Sequence, residues 1–329
     1  MRRSLPDISR STPKTDKSMT VEPYQPHLKP EWDLVVEQSR NGTFLHRRDY
    51  MDYHADRFED MSLIARDDSG RIIAVMPAHR SGDTVTSHGG LTYGGWLMTP
   101  RADMIAMTEV WRLMTALLAD MGIARLIYRP VPHIYHKYPA EEDLYALWRA
   151  GGRLDRTLVS SVIDVSEPLS FDMSARQSVR KAMRSGVTVR ESDDWAGFWQ
   201  VLEERLATAH GAMPVHSLDE ILLLRSRFPE NIRLYTAECE GAIVAGSVIY
   251  YTDKVAHSQY TGSTEAGRRL RSLPLLYRHI IDTMPEGIRY FDLGTSNEDA
   301  GRYLNEGLIR QKASYGARAV AFNSYCIDI

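Results

Sequence analysis

Residues whose types suit chemistry collect in a few words of this sequence. The clearest is Tyr290-Phe291-Asp292-Leu293-Gly294-Thr295-Ser296-Asn297-Glu298, an apolar run that turns abruptly small and polar. Mixed α/β proteins place ligands at strand ends, and a glycine such as Gly294 lets backbone come close. Asp292 and Glu298 are candidate bases, set against the common alternative of a salt-bridged aspartate at a strand end. Thr295, Ser296 and Asn297 would bind substrate or cap the next helix, with capping the expectation for at least one. Asn305, Glu306, Arg310 and Lys312 share one expected helix, about Gly301 to Ser314, and Arg318 opens the strand after it. Asn305 and Arg318 are candidate substrate-binding residues, Arg318 pairing with a phosphate or simply with a carboxylate. A cation at Lys312 would hold a phosphate or an oxyanion; the plainer alternative is a lysine favoured by the helix dipole. Glu306 and Arg310, four apart, read as a surface pair.

Two further words lie in the first half. Ser87-His88-Gly89-Gly90-Leu91-Thr92-Tyr93-Gly94-Gly95 packs four glycines around His88 and Tyr93. Glycine costs entropy, so such a run signals backbone close to a ligand or to another segment. It reads as an acceptor-binding loop, with a structural turn close behind. Tyr128-Arg129-Pro130-Val131-Pro132-His133-Ile134-Tyr135-His136 is a second strand-end loop. His133 and His136 have no carboxylate or cysteine neighbour to complete a ligand set, so no metal is expected. With Arg129 they are placed instead as substrate-binding residues, the histidines stacking on or hydrogen-bonding a sugar. Ser217 and Glu220 read as a helix-starting capping box.

Elements must position these residues, and the sequence repeats them. A chain of 329 residues exceeds what one core usually organises, so two domains are expected. Hydrophobic content of 43% and charged content of 25% are those of a globular protein. In the first half, Ser62–Gly70, Arg71–Met76 and Thr84–His88 read as a three-stranded meander; in the second, Ile232–Ala237, Ile243–Tyr250 and Lys254–Tyr260 do the same. Gly70 matches Gly241, and Val85 with His88 falls near Val255 with His257. Each meander leads into a helix (Ala102 to about Met121; about Leu273 to Thr283), a strand, a further helix and a last strand (Thr157–Val165; Arg318–Tyr325). The expected division is a disordered tail over 1–28, a first domain over 29–170, a basic linker helix over 171–186 and a second domain over 187–329. The cations of that linker, Arg176, Arg180, Lys181 and Arg184, read as solvated, with a minority reading that they face an inter-domain cleft and hold phosphates.

The net charge of −3 exerts no global pull toward DNA or an anionic membrane. Cys239 and Cys326 are the only cysteines, too few for a disulfide framework or a cysteine zinc site. No apolar h-region follows Arg2 and Arg3, and no run approaches the roughly 20 residues of a membrane-spanning helix. A soluble, cytoplasmic protein is expected.

The order helix, meander, helix, strand, helix, strand is that of the GNAT (acyl-CoA N-acyltransferase) fold. Two such units resemble the Fem-type branch, the tandem-domain peptidoglycan-bridge transferases and their acyltransferase relatives. The words that carry the resemblance are Asn41–His46, Ser87–Gly95, Tyr290–Glu298, and Leu304–Lys312 with Gly316–Arg318. It implies two mixed, largely antiparallel α/β units and acyl transfer from an acyl-CoA co-substrate, with no permanently bound cofactor. The acceptor it implies is small or nucleotide-linked: an amino sugar, an amino acid or a peptidoglycan-like group in envelope or polysaccharide synthesis. Lys312 matches the lysine that Fem-type enzymes place in the active site. The resemblance also places the donor's pyrophosphate loop at Gly262–Ser272, where Gly267, Arg268, Arg269 and Arg271 stand without the usual motif. Fem-type enzymes that use aminoacyl-tRNA often carry a long helical arm; none is legible here, which disfavours tRNA. The alternative outside catalysis is a degenerate GNAT-fold binding module. Two fused modules already supply the pairing that single units obtain by dimerising, so the oligomeric state stays open.

Overall fold

A computed structural model describes residues 18–329. In chain order the first half supplies β1 (Thr20–Pro23), α1 (Lys29–Gln38), α2 (Arg48–Met51), β2 (Glu59–Asp60), β3 (Leu63–Arg66), β4 (Ile72–Met76), β5 (His79–Ser81) and β6 (Thr84–Thr86). After them come β7 (Leu97–Met98), α3 (Met104–Asp120), β8 (Arg125–Tyr128), α4 (Glu142–Arg149) and β9 (Arg153–Asp164). The second half begins with α5 (Met173–Arg184), β10 (Thr188–Ser192), α6 (Trp195–His210), α7 (Leu218–Arg227), β11 (Ile232–Cys239), β12 (Ala242–Tyr251) and β13 (Val255–Ser263). It continues through α8 (Glu265–Leu270), α9 (Ser272–Asp282), β14 (Tyr290–Thr295), β15 (Asn297–Glu298), β16 (Tyr303–Leu304), α10 (Glu306–Ser314) and β17 (Arg318–Asp328).

Helical spacing decides α3, which buries Met107, Val110, Trp111, Met114 and Leu118 on one stripe. Its first turn is capped by the Asp103 side chain, which accepts from the Ala106 N–H. The Ser217–Glu220 capping box starts α7 as the sequence indicates. The second meander, β11–β12–β13, is antiparallel and continuous. Its counterpart in the first half is broken: Pro77 has no N–H to continue the ladder after β4. β3 and β4 therefore join β1 and β7 in a separate four-stranded sheet, while the β5–β6 hairpin joins the main one.

The main sheet runs β10-β11-β12-β13-β14-β9-β17-β8-β6-β5-β2. The closing strands of the two halves have changed places. β9 pairs with β14 of the second half, β17 pairs with β8 of the first, and β9 and β17 pair with each other. One sheet thus passes through both halves, and a cut at 170 or 187 would leave each half with the other's strand.

Two other expectations change. Within the segment read as a tail, β1 lies antiparallel on β3, and Tyr24 stacks edge-on against Trp32 at 5.2 Å beneath the Arg48 guanidinium. Four residues are too few to display a period, and Pro23 is tolerated at a sheet edge. The remainder of that tail, residues 1–17, lies outside the described residues. The linker helix is not a linker: α5 packs on α9 of the second half, burying Ala175 and Ala182.

Candidate functional site

β13 and β14 run parallel only where Val255–His257 face Tyr290–Asp292. A register slip leaves Gln259 unmatched on β12, and β13 continues to Ser263 with β12 alone. Such bulges bend a strand away from its neighbour. From Ser258 onward the edge of β13 that faces β14 has no strand partner among the described residues. Beside it opens a cavity of about 780 Å³ between α5, α6, β13, α8, α9 and α10. Its walls carry the hydroxyls of Ser258, Thr261 and Tyr277, linked at 2.8 and 3.0 Å. Arg205, Arg268 and Arg271 stand at the same cavity.

Lys312 is 8% exposed and lines this cavity from α10. Its Nζ donates to the carbonyls of Gly294 and Thr295, at 2.8 and 2.9 Å. Burial lowers its pKa to about 8, the nearby Asp292 carboxylate offsetting part of that effect. An ammonium has three donors, so one remains for a ligand.

Asp292 is fully buried on the opposite face of β14. Its carboxylate accepts from Tyr135 Oη at 2.7 Å, Ser160 Oγ, His257 Nδ1 at 3.0 Å and the Gly294 N–H at 2.9 Å. Burial alone would push the carboxyl up; the charge of His257 and the bonds from His257, Ser160 and Tyr135 outweigh it and hold the pKa at about 2. Gly294 ties the two faces together. It sits at φ +77° in a register slip between β14 and β9, its N–H on Asp292 and its carbonyl on Lys312.

The structure thus gathers Gly267, Arg268, Arg271 and Lys312 at one cavity, with Asp292 against its rear wall. Asp292 itself, sealed and saturated with donors, cannot serve as the base the sequence suggested. Gly267 is glycine because a Cβ there would lie 2.0 Å from the Val244 carbonyl oxygen; it packs helix on strand. Arg269 lies outside the cavity lining, ion-paired to Glu265. No helix follows β14 directly, so none of Thr295, Ser296 and Asn297 is a cap. β15 and β16 form a hairpin there instead, and α10 starts only at Glu306. Asn297 braces the hairpin through the Val159 N–H and the Gly301 carbonyl, and Ser296 is buried with its hydroxyl unpartnered among the described residues. Asn305 caps α10 and donates to Glu298 at 2.9 Å, which occupies both at the surface. Arg318 is exposed and turns back to the Ala317 carbonyl. The α5 cations do not line the cavity; Ser174 and Ser178 of that helix do.

In the first half the corresponding gap is filled. β6 and β8 pair in the same parallel register, setting Thr86 beside Ile127 where the second half has His257 beside Asp292. Beyond that point the glycine run fills the gap: Ser87 N–H donates to Ile127, Gly94 N–H donates to Arg129, and Gly94 bridges Pro130. A Cβ on Gly95 would fall 2.7 Å from Tyr128 Oη, and one on Gly90 2.2 Å from His54 Nε2. The loop expected to bind an acceptor is a plug. His88 and Tyr93 are 5% and 2% exposed. Arg129 is partly buried beside Arg156, its pKa lowered by burial and by that neighbour, while His133 is exposed; neither lines the cavity.

Sequence reasoning missed His257, Ser258, Thr261 and Tyr277. The alternation of polar residues along Val255–Ser263 was the available signal.

Residues 173–303 match the family model described as an acetyltransferase (GNAT) domain. No curated protein matches the chain. Among solved structures, FemX superposes with a TM-score of 0.67 at 12% identity, over 94% of this chain and 97% of that one. L-PGS from Bacillus licheniformis gives 0.55 at 12% identity, over 84% and 90%. A tandem GNAT protein from the clavulanic acid biosynthesis pathway gives 0.51 at 13% identity, over 94% and 98%. This chain therefore has a tandem GNAT-like fold in the arrangement of FemX, and the half that matches the acetyltransferase (GNAT) domain model is the one that keeps the open cleft.

Proposed function

We propose that the protein is an N-acyltransferase that moves an acyl group from an acyl-CoA donor to an amine. The acceptor classes that fit the resemblance are an amino sugar, an amino acid or a peptidoglycan-like group of envelope or polysaccharide synthesis. The observation that carries the reading is the unpaired edge of β13 beside a cavity with Lys312 at its inner end. An amide-bearing arm such as pantetheine can lie along an open strand edge and hydrogen-bond to it as an added strand would. Arg205, Arg268 and Arg271 supply charge for the donor's phosphates. Lys312 offers its remaining donor to the oxyanion of the tetrahedral intermediate.

The test is thermal unfolding with a panel of CoA thioesters and, separately, with total tRNA. A ligand that binds only the native state stabilises it by about 2.7 kcal/mol at a hundred times its Kd. The expected result is a raised midpoint with a CoA thioester, reduced in an R268A/R271A variant. A shift with tRNA alone would replace the donor by an aminoacyl-tRNA. No shift with either would leave a non-catalytic module as the better reading.

A further inference from the structure

We infer that His257 is the general base that takes the proton from the acceptor, held for that task by Asp292. The acceptor then approaches on the face of the sheet opposite the donor cavity. The inference rests on the acyl-transfer reading and names the acceptor side of the same site.

The tautomer follows from the partner. The Asp292 carboxylate already accepts from Tyr135, Ser160 and the Gly294 N–H and has no proton to give, so the His257 Nδ1 facing it carries the proton. In the neutral ring Nε2 then holds the lone pair. Nε2 makes no hydrogen bond to any described residue, and the side chain keeps 15% of its surface open. A ring with one nitrogen fixed by a buried carboxylate and the other left without a partner among the described residues is oriented for proton transfer.

Position follows from the strands. Side chains alternate across a sheet, so His257 and Asp292 share one face while Ser258 and Leu293, which line the donor cavity, share the other. The two faces communicate through the splay. His257 Cε1 lies 3.7 Å from where a Cβ on Gly294 would stand, and the Gly294 carbonyl is held by Lys312 from the cavity side. Base and cation thus flank a single peptide unit. The ionisable groups on the ring's face are Asp292, Tyr135 on the same carboxylate, and Tyr250 directly across on β12; Ser160 completes the carboxylate's shell from β9, and Lys312 lies beyond the Gly294 peptide.

The fold does not require this pair. At the matching register the first half sets Thr86 beside Ile127, and there the gap is closed by the glycine plug. A buried carboxylate is costly unless donors are arranged around it, as they are around Asp292. The His257–Asp292 pair stands where β13 and β14 part beside the open cleft.

The step balances as follows. The amine lone pair attacks the thioester carbonyl carbon and a C–N bond forms. The amine proton passes to His257 Nε2, while the carbonyl oxygen becomes an oxyanion beside Lys312. Collapse breaks the C–S bond. The departing CoA thiolate regains a proton through solvent from the imidazolium, leaving amide, CoA thiol and neutral His257.

The experiment follows thiol release from acetyl-CoA, with glucosamine and glycylglycine as acceptor amines, in the wild type, H257A, H257Q and D292N. H257A should lose about 100-fold or more in kcat while keeping the acetyl-CoA thermal shift. Added imidazole should restore part of the rate in H257A alone. D292N should lower kcat with the KM for acetyl-CoA unchanged and without imidazole rescue, as expected of a positioning residue. H257Q, whose amide can still donate to Asp292, carries the same expectation should H257A fail to fold. Retention of wild-type kcat by a folded H257A or H257Q would overturn the inference and leave acyl transfer standing. Absence of both thermal shift and thiol release in the wild type would overturn the acyl-CoA reading, and this inference with it.

Discussion

Lys312 is a buried ammonium with two carbonyl partners and one free donor, and its chemistry can be separated from its packing. In K312M the stem volume is largely kept while the charge is lost. Turnover should fall roughly 100- to 1000-fold, the size expected for removing one oxyanion donor, with the CoA-induced thermal shift mostly retained. Equal loss of shift and turnover would instead make Lys312 a donor-binding residue. With its pKa at about 8, the ammonium is present below that pH and disappears above it, so wild-type turnover should decline on the alkaline side of about pH 8. At this scale the sequence was partly legible. Lys312 and Asp292 stood out because an apolar strand ended in small polar residues and a motif placed the lysine. The role of Asp292 was not legible, because saturation by Tyr135, Ser160 and His257 depends on three other elements arriving at one point. Glu298 and Asn305 were chosen for their chemistry, yet they satisfy each other across a hairpin that two-residue strands do not announce.

Among the elements, the glycine plug and the turn over Asp52–Arg57 enclose a group of neutral histidines. His88 contacts His54 and His79 at ring separations of 5.5 and 5.8 Å, with Phe58 among them. Burial, with a smaller contribution from the neighbouring histidines, lowers the pKa of His88 to about 3, and burial lowers those of His54 and His79. A depressed histidine refuses a proton that the unfolded chain accepts below about pH 6.5. Stability is therefore intact above that pH and falls as pH drops toward the folded-state value. Between about pH 6.5 and 5, a histidine that stays neutral costs roughly 2 kcal/mol. Denaturant melts across this range should show the decline. H88N, which keeps a residue tolerant of the φ of +52° found there, should flatten it by about one proton. An unchanged slope in H88N would remove His88 as its source. The sequence made the need for close backbone approach at this loop plain. It hid the partner, which is the protein's own strand β8 and its histidines rather than a ligand.

For the whole molecule, the repeat was readable because both halves recur in the same order of periods and turns. The exchange of β9 and β17 was not, since a strand carries the same alternation whichever neighbour it meets. Its test is physical separation. Residues 18–170 and 171–329 made apart should each expose a strand edge where a partner is missing, and should aggregate or remain poorly folded. Made together, they should recover a one-to-one complex with the intact protein's thermal shift. A half that is monomeric and cooperatively folded alone would show that the exchanged strands are dispensable.

The exchange also sets a timetable. During synthesis the first half emerges with β8 lacking its neighbour, and that neighbour, residues 318–328, is translated about 190 residues later than β8 itself. Domains that fold as they leave the ribosome can usually do so one at a time. Here the earlier half must wait, its edge open to chaperones or to the edges of nascent neighbours on the same message, until the later half delivers the strand that closes it. A stop codon anywhere before Arg318 would therefore strand both halves at once.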